Sequence, residues 1–329
     1  MGVPGVPGEE ADPADPAALE RALLGGDATI SLEELAGRTG MTPAVASLVW
    51  HALGFADSEP PGRLFSPADV EGLALARRLA AAAGAEEDFA VDVMRALGHH
   101  MSRLVTWQVV ALADRLAGPD GTDGTDRAVA FLADHLVEID RLVSYGARRH
   151  LASVVKWQLG RGGEDGLQSP LSVGFADMVS YTTMSQQLDA VELARLVARF
   201  AAVSATVVLR QGGRVVKTVG DEILFVADTP QEAVGIAIDL TDAMAADPVL
   251  LEVRVGIATG PVVSRLGDVF GHTVNLASRL TAFATPGTVA VDLATGAALG
   301  GDGLLELIPL GELDLPGIGK VGASQVRRS

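Results

Sequence analysis

The 329-residue chain contains no cysteine. That excludes disulfides, thiolate metal sites and a cysteine nucleophile. Basic charge is also scarce: 25 Lys and Arg against 42 Asp and Glu leave a net charge of −17. A phosphate backbone demands the opposite sign, so no nucleic-acid partner is expected. No run of about 18 apolar residues is present, so no transmembrane segment is expected. The N-terminus lacks the basic-then-apolar pattern of a signal peptide. Its Met-Gly start lacks the Ser or Thr of a myristoylation signal, since the sixth residue is Val6. These absences together predict a soluble, cytoplasmic protein. The length predicts two domains rather than one.

What is present begins with a Pro- and Gly-rich arm, residues 1–26, in which a short helix over Pro16–Leu24 is the one candidate element. A helical domain is expected over 27–159. Ser31 and Glu34 have the spacing of a capped helix start, and Thr42-Pro43 opens a second helix. The pair is similar to a helix-turn-helix, yet its second helix, Pro43–Leu53, carries no Lys or Arg for phosphates or base edges. A packing module is the expectation, not a DNA reader. Residues 86–117 predict a long helix with apolar residues on more than one face, among them Phe89, Val93, Leu97, Trp107 and Val110. That pattern predicts burial on several sides, in a helical core, a dimer interface or the wall of an apolar-ligand pocket. An exposed loop is expected over 119–125, then one helix from about 127 to 159. Five of the six histidines, His51, His99, His100, His135 and His150, fall in this half. Between packed helices they would make it responsive to protons. A Gly-rich linker over 160–169 marks the domain boundary.

The organising stretch of the second half, 170–329, runs from Leu171 to Phe225. A short apolar run ends on Asp177. A helix, the strand Arg214–Val219, the turn Gly220-Asp221 and a returning strand follow. If the strands pair, both carboxylates reach one sheet edge, without a histidine or cysteine nearby. Oxygen ligands alone suit a hard cation such as Mg²⁺, which also binds substrate phosphates. The element order predicts an α+β sandwich with helices on one face of a mainly antiparallel sheet. Farther on, Asn275 and Arg279 stand four apart, on one face of a helix.

Four blocks resemble the catalytic domain of class III nucleotidyl cyclases, the adenylate and guanylate cyclases. They are Phe175–Thr182, Lys217–Glu222, Arg254–Gly260 and Gly271–Leu280. The N-terminal half resembles the helical regulatory domain of actinobacterial members. The resemblance implies a ferredoxin-like core, ATP as substrate and 3′,5′-cyclic AMP as product. It implies two divalent cations, Mg²⁺ or Mn²⁺, on Asp177 and Asp221, which would offset the acidic charge. It implies a phosphate loop of main-chain N–H groups around Met178, Val179, Ser180 and Tyr181. Asn275 would orient the ribose and Arg279 would stabilise the phosphoryl charge. Lys217 and Asp268 would read the base. A donor-only lysine and an acceptor-only aspartate match adenine and oppose guanine. The alternatives are a guanylate cyclase, or an inactive cyclase-like sensor or DNA-associated regulator. The resemblance further implies a homodimer with shared sites, metal ligands from one chain and the remaining residues from the other. The segment after Gly260 is short, and Gly267 stands where the family commonly has tyrosine, which implies a reduced dimerisation arm.

Overall fold

The computed structural model describes residues 16–56, 65–84, 87–118, 124–160, 168–265, 267–299 and 305–328. The chain divides into two compact units, Met1–Trp157 and Gln158–Ser329. Most of the N-terminal arm, most of the 119–125 loop and most of the Gly-rich linker lie outside the described residues.

The described part of the first unit is helical: α1 Pro16–Leu24, α2 Leu32–Thr39, α3 Pro43–Ala52, α4 Pro67–Ala82, α5 Glu87–Leu116, α6 Gly124–Asp134 and α7 Leu136–Gly160. Its helix starts follow local chemistry. The Ser31 and Thr42 hydroxyls accept the N–H groups of Glu34 and Val45, and Ser66 and Asp69 form a reciprocal capping box. Glu34 does not close a box at Ser31; its carboxylate takes Arg38 at 2.5 Å. Leu35, Val49, Phe65, Leu73 and Val91 build the core. Ile30 and Phe65 tie the two ends of the helical hairpin by exchanging backbone hydrogen bonds of 3.0 and 2.7 Å.

Three expectations change here. The helix predicted over 127–159 is two, interrupted at His135, whose ring stacks on Phe131 at 4.1 Å between centroids. On α5 the apolar residues Phe89, Val93, Leu97, Val105, Trp107 and Val110 are exposed, not buried on several sides. They therefore wall no internal apolar pocket. Helical periodicity identifies an apolar face but not what covers it. His51, His99, His100, His135 and His150 are all exposed as well, so none lies between packed helices of its own chain.

The second unit is built on one sheet. Its elements are β1 Gln168–Met178, α8 Tyr181–Ser185, α9 Ala190–Arg210, β2 Arg214–Val219, β3 Glu222–Ala227, α10 Pro230–Ala246, β4 Val253–Arg265, β5 Asp268–Phe270, α11 His272–Phe283, β6 Val289–Asp292, α12 Leu293–Ala298, β7 Leu305–Leu315 and β8 Gly319–Arg328. The strand order is β2-β3-β1-β4-β6-β8-β7, with β5 folded back on β4. Among the described residues only the β4–β6 pair is parallel. The order β2-β3-β1-β4, with α9 and α10 as crossovers, is the ferredoxin-like β-α-β-β-α-β arrangement.

Side chains alternate across the sheet. Ala176, Ile223, Phe225, Val255 and Ile257 face the helical layer, where they pack with Phe200 of α9 and Ile236 and Leu240 of α10. The sequence predicted helices on one face only; the structure has them on both. α11 lies on the other one, where the Thr281 hydroxyl donates to the carbonyls of Phe175 and Ala277. Gly256 permits this approach: a Cβ there would sit 2.2 Å from the Thr281 amide nitrogen.

Candidate active site

Four residues from four neighbouring strands form a row on the α11 side of the sheet. Val219 pairs with Glu222, Glu222 with Asp177, and Asp177 with Arg254. Opposed residues in an antiparallel pair share a face with Cβ atoms about 5 Å apart. The second carboxylate, Asp221, sits in the two-residue turn between Val219 and Glu222. Its carbonyl accepts the Met178 N–H at 3.0 Å, which fixes the turn against the end of β1. Asp177 and Asp221 thus line one cavity of about 370 Å³, with Val219, Glu222, Arg254, Ser278 and Arg279 among its other walls.

Arg254 belongs to a quoted motif, but sequence reasoning gave it no role. Its Nε donates to Asp177 Oδ2 at 2.8 Å, and one terminal nitrogen forms an ion pair with the same oxygen at 2.6 Å. Its other terminal nitrogen donates to the Ala282 carbonyl at 3.0 Å, near the end of α11. The signal was antiparallel register: Asp177 nears the end of β1 where Arg254 begins β4.

The cavity is acidic. Burial raises the Asp221 carboxyl above its ordinary range, with a further contribution from the Asp177 charge. Glu222 is raised too, chiefly by burial and then by Asp177 and Asp221. Among the described residues no three His, Asp or Glu side chains converge on one point. The donor set fits a hard divalent cation held by two carboxylates and completed by phosphate oxygens. The oxygen-only chemistry and the raised carboxyls both favour an added positive charge.

Lys217 and Asp268 meet directly, Nζ to carboxylate, at 2.5 Å. A β-bulge makes this contact possible. Val215 packs against the helical layer, and strict alternation would send Lys217 to that side too. The register shift between Val215 and Lys217 leaves Val216 unpaired and turns Lys217 over. Asp268 is set by the hairpin in which Arg265 opposes Asp268. Gly267, just before Asp268, takes φ 82°, in the left-handed region that favours glycine.

Asn275 and Arg279 lie one turn apart on the exposed side of α11. Arg279 lines the carboxylate cavity of its own chain, whereas Asn275 is not among the cavity's walls. The expected phosphate loop needs correction. The Met178 and Val179 amides are spent on the carbonyls of Asp221 and Glu252, at 3.0 and 2.9 Å. Ser180 and Tyr181 remain from the set of four. Ser180 has φ 64°, the only positive φ of a non-glycine among the described residues. Such strain gathers at sites that need a set backbone.

The sequence profile of the adenylate and guanylate cyclase catalytic domain matches residues 166–326. An adenylate cyclase from Glutamicibacter nicotianae is 36% identical over 304 residues, covering 87% of this chain and 75% of that protein. One from Streptomyces coelicolor is 38% identical over 279 residues, covering 84% and 73%. Among solved structures, the adenylyl cyclase CyaB from P. aeruginosa is 23% identical and covers 49% of this chain and 95% of that one, with a TM-score of 0.45. The profile match and the two relatives show that the chain belongs to the adenylate and guanylate cyclase family, with the catalytic domain in the second unit. Among the described residues no helix is long and apolar enough to cross a membrane.

Proposed function

We propose that this chain is an adenylate cyclase, which converts ATP to 3′,5′-cyclic AMP and pyrophosphate. The observation that carries the choice of ATP is the Lys217–Asp268 pair at 2.5 Å. Adenine presents an acceptor at N1 and donors at N6. Lys217 donates to the first and Asp268 accepts from the second. Guanine reverses both groups and leaves the pair unsatisfied, which rejects it once the second copy of the chain covers the site.

In the reaction the ribose 3′-oxygen attacks the α-phosphorus, loses its proton and forms the new P–O bond as the bond to pyrophosphate breaks. Asp177 and Asp221 would hold two divalent cations, which supply neutralisation of the triphosphate and acidification of the 3′-hydroxyl. Asn275 orients the ribose. Arg279 stabilises charge on the phosphoryl oxygens, and the Ser180 and Tyr181 amides receive the outer phosphates. The exposure of Lys217, Asn275 and Arg279 supports a second copy of the chain as the missing wall. In that homodimer the carboxylates of one chain work with the base, ribose and phosphoryl residues of the other. The helical first unit acts as the regulatory input.

Mixing Asp221→Ala with Asn275→Ala chains tests the shared site. Verified heterodimers should regain ATP cyclisation, because one of their two sites has a full set. Heterodimers as inactive as either parent would contradict it.

A further inference from the structure

Glu222 has no place in the mechanism above, yet it stands beside Asp177 in the strand row and lines the same cavity. Among the described residues it makes no salt bridge. Its neighbour Asp177 is already engaged: Arg254 faces it from the opposite strand and holds one carboxylate oxygen through two nitrogens. Arg279 is a second basic wall of the cavity, so three carboxylates face two guanidiniums and one negative charge is in surplus, which is lost if Glu222 is neutral. Three side chains do not converge on a point there, so Glu222 has no geometry for shared ligation with the two aspartates.

We propose that Glu222 is a positioning residue for the cation site: it restores through space the negative charge that Arg254 withdraws from Asp177, and so sets the affinity for divalent ions. Charge in a partly desolvated cavity acts over several ångströms without contact. One charge a few ångströms from a divalent cation in a partly exposed cavity changes its affinity by about tenfold. The inference rests on the reading that Asp177 and Asp221 hold divalent cations, and the test separates the two.

The test is an Mn²⁺ titration of the nucleotide-free, full-length protein, followed by the electron paramagnetic resonance signal of free Mn²⁺. It compares the natural chain with Glu222→Gln, Glu222→Asp and Asp221→Asn. Glu222→Gln keeps the shape and removes the charge, and should weaken Mn²⁺ binding about tenfold. Glu222→Asp keeps the charge and should stay close to the natural chain. Asp221→Asn should lose at least as much affinity as Glu222→Gln. Unchanged affinity in Glu222→Gln beside a loss in Asp221→Asn overturns the role of Glu222 and leaves the cation reading standing. A loss in Glu222→Asp as deep as in Glu222→Gln overturns charge action, because only reach has changed. No Mn²⁺ bound by the nucleotide-free natural chain overturns this inference, which needs a cation site formed before the nucleotide arrives.

Discussion

Arg254 faces Asp177 across the β1–β4 ladder and grips one oxygen of its carboxylate at 2.6 and 2.8 Å. The guanidinium stands in for positive charge at a site designed for more of it. It also ties the carboxylate strand to α11 through the Ala282 carbonyl. The acidic end of the sheet and the helix bearing Arg279 are thereby held together in the absence of substrate.

Removing that guanidinium leaves Asp177 beside two other carboxylates. Arg254→Gln should lower stability by about 1–2 kcal/mol, a charged hydrogen-bond pair discounted for partial exposure. Added Mn²⁺ should then raise the melting temperature of the variant by more than that of the natural chain. Thermal melts with and without Mn²⁺ check both parts; an equal or smaller rise in the variant contradicts the role given to Arg254.

The pH dependence follows from Asp221 and Glu222, both raised by burial. A carboxyl raised in the folded state binds protons more tightly there than in the unfolded chain. Its contribution to stability is full below the ordinary carboxylate pKa and is lost as pH rises through the raised value. Cation binding runs the other way, since it needs the ionised form. Without divalent ions the second unit should therefore lose stability from about pH 4 upward through the raised pKa values. Stabilisation by Mn²⁺ should grow over the same interval. Melts of residues 168–329 and of the full chain across that interval, with and without Mn²⁺, check the opposed slopes.

Base choice should reside in two side chains. Lys217→Ala removes the donor to adenine N1 and leaves Asp268 without its partner. ATP turnover, as kcat/KM, should fall by about 10- to 100-fold, the equivalent of a lost charged hydrogen bond. Lys217→Glu with Asp268→Ser reverses the donor pattern and should shift preference toward GTP. Steady-state kinetics with both nucleotides check this, and unchanged ATP preference in the double variant would remove the pair from base reading.

Gly256 sets the height of α11 above the sheet. A methyl group there would collide with the Thr281 backbone at 2.2 Å. Gly256→Ala should destabilise the unit by about 1–3 kcal/mol and displace Asn275 and Arg279 with the helix. Activity should fall even where the variant remains folded, as judged by circular dichroism beside turnover.

Much of the site was legible because its positions are fixed locally. The apolar run ending at Asp177, the Gly220-Asp221 turn and the four-residue step from Asn275 to Arg279 need only strand alternation, turn chemistry and helix period. What stayed hidden depends on partners distant in sequence. The Asp177–Arg254 contact appears only with the β1–β4 register. The Met178 and Val179 amides looked free because their acceptors, Asp221 and Glu252, come from elsewhere in the chain. The Val216 bulge that turns Lys217 is likewise invisible to a period of two. In the first unit the helices were readable from their caps and periodicity. The exposure of Phe89, Trp107 and the five histidines was not, because sequence patterns report which faces are apolar and not which are covered.

The most direct test is product identification after incubating the purified full-length protein with ATP or GTP and Mg²⁺ or Mn²⁺, beside an Asp221→Ala control. Cyclic AMP formed from ATP, absent in the control and in excess over any cyclic GMP from GTP, is the predicted result. Cyclic GMP as the main product, or cyclic AMP formed equally well by Asp221→Ala, would contradict the assignment of Lys217 and Asp268 in the first case and of the paired aspartates in the second.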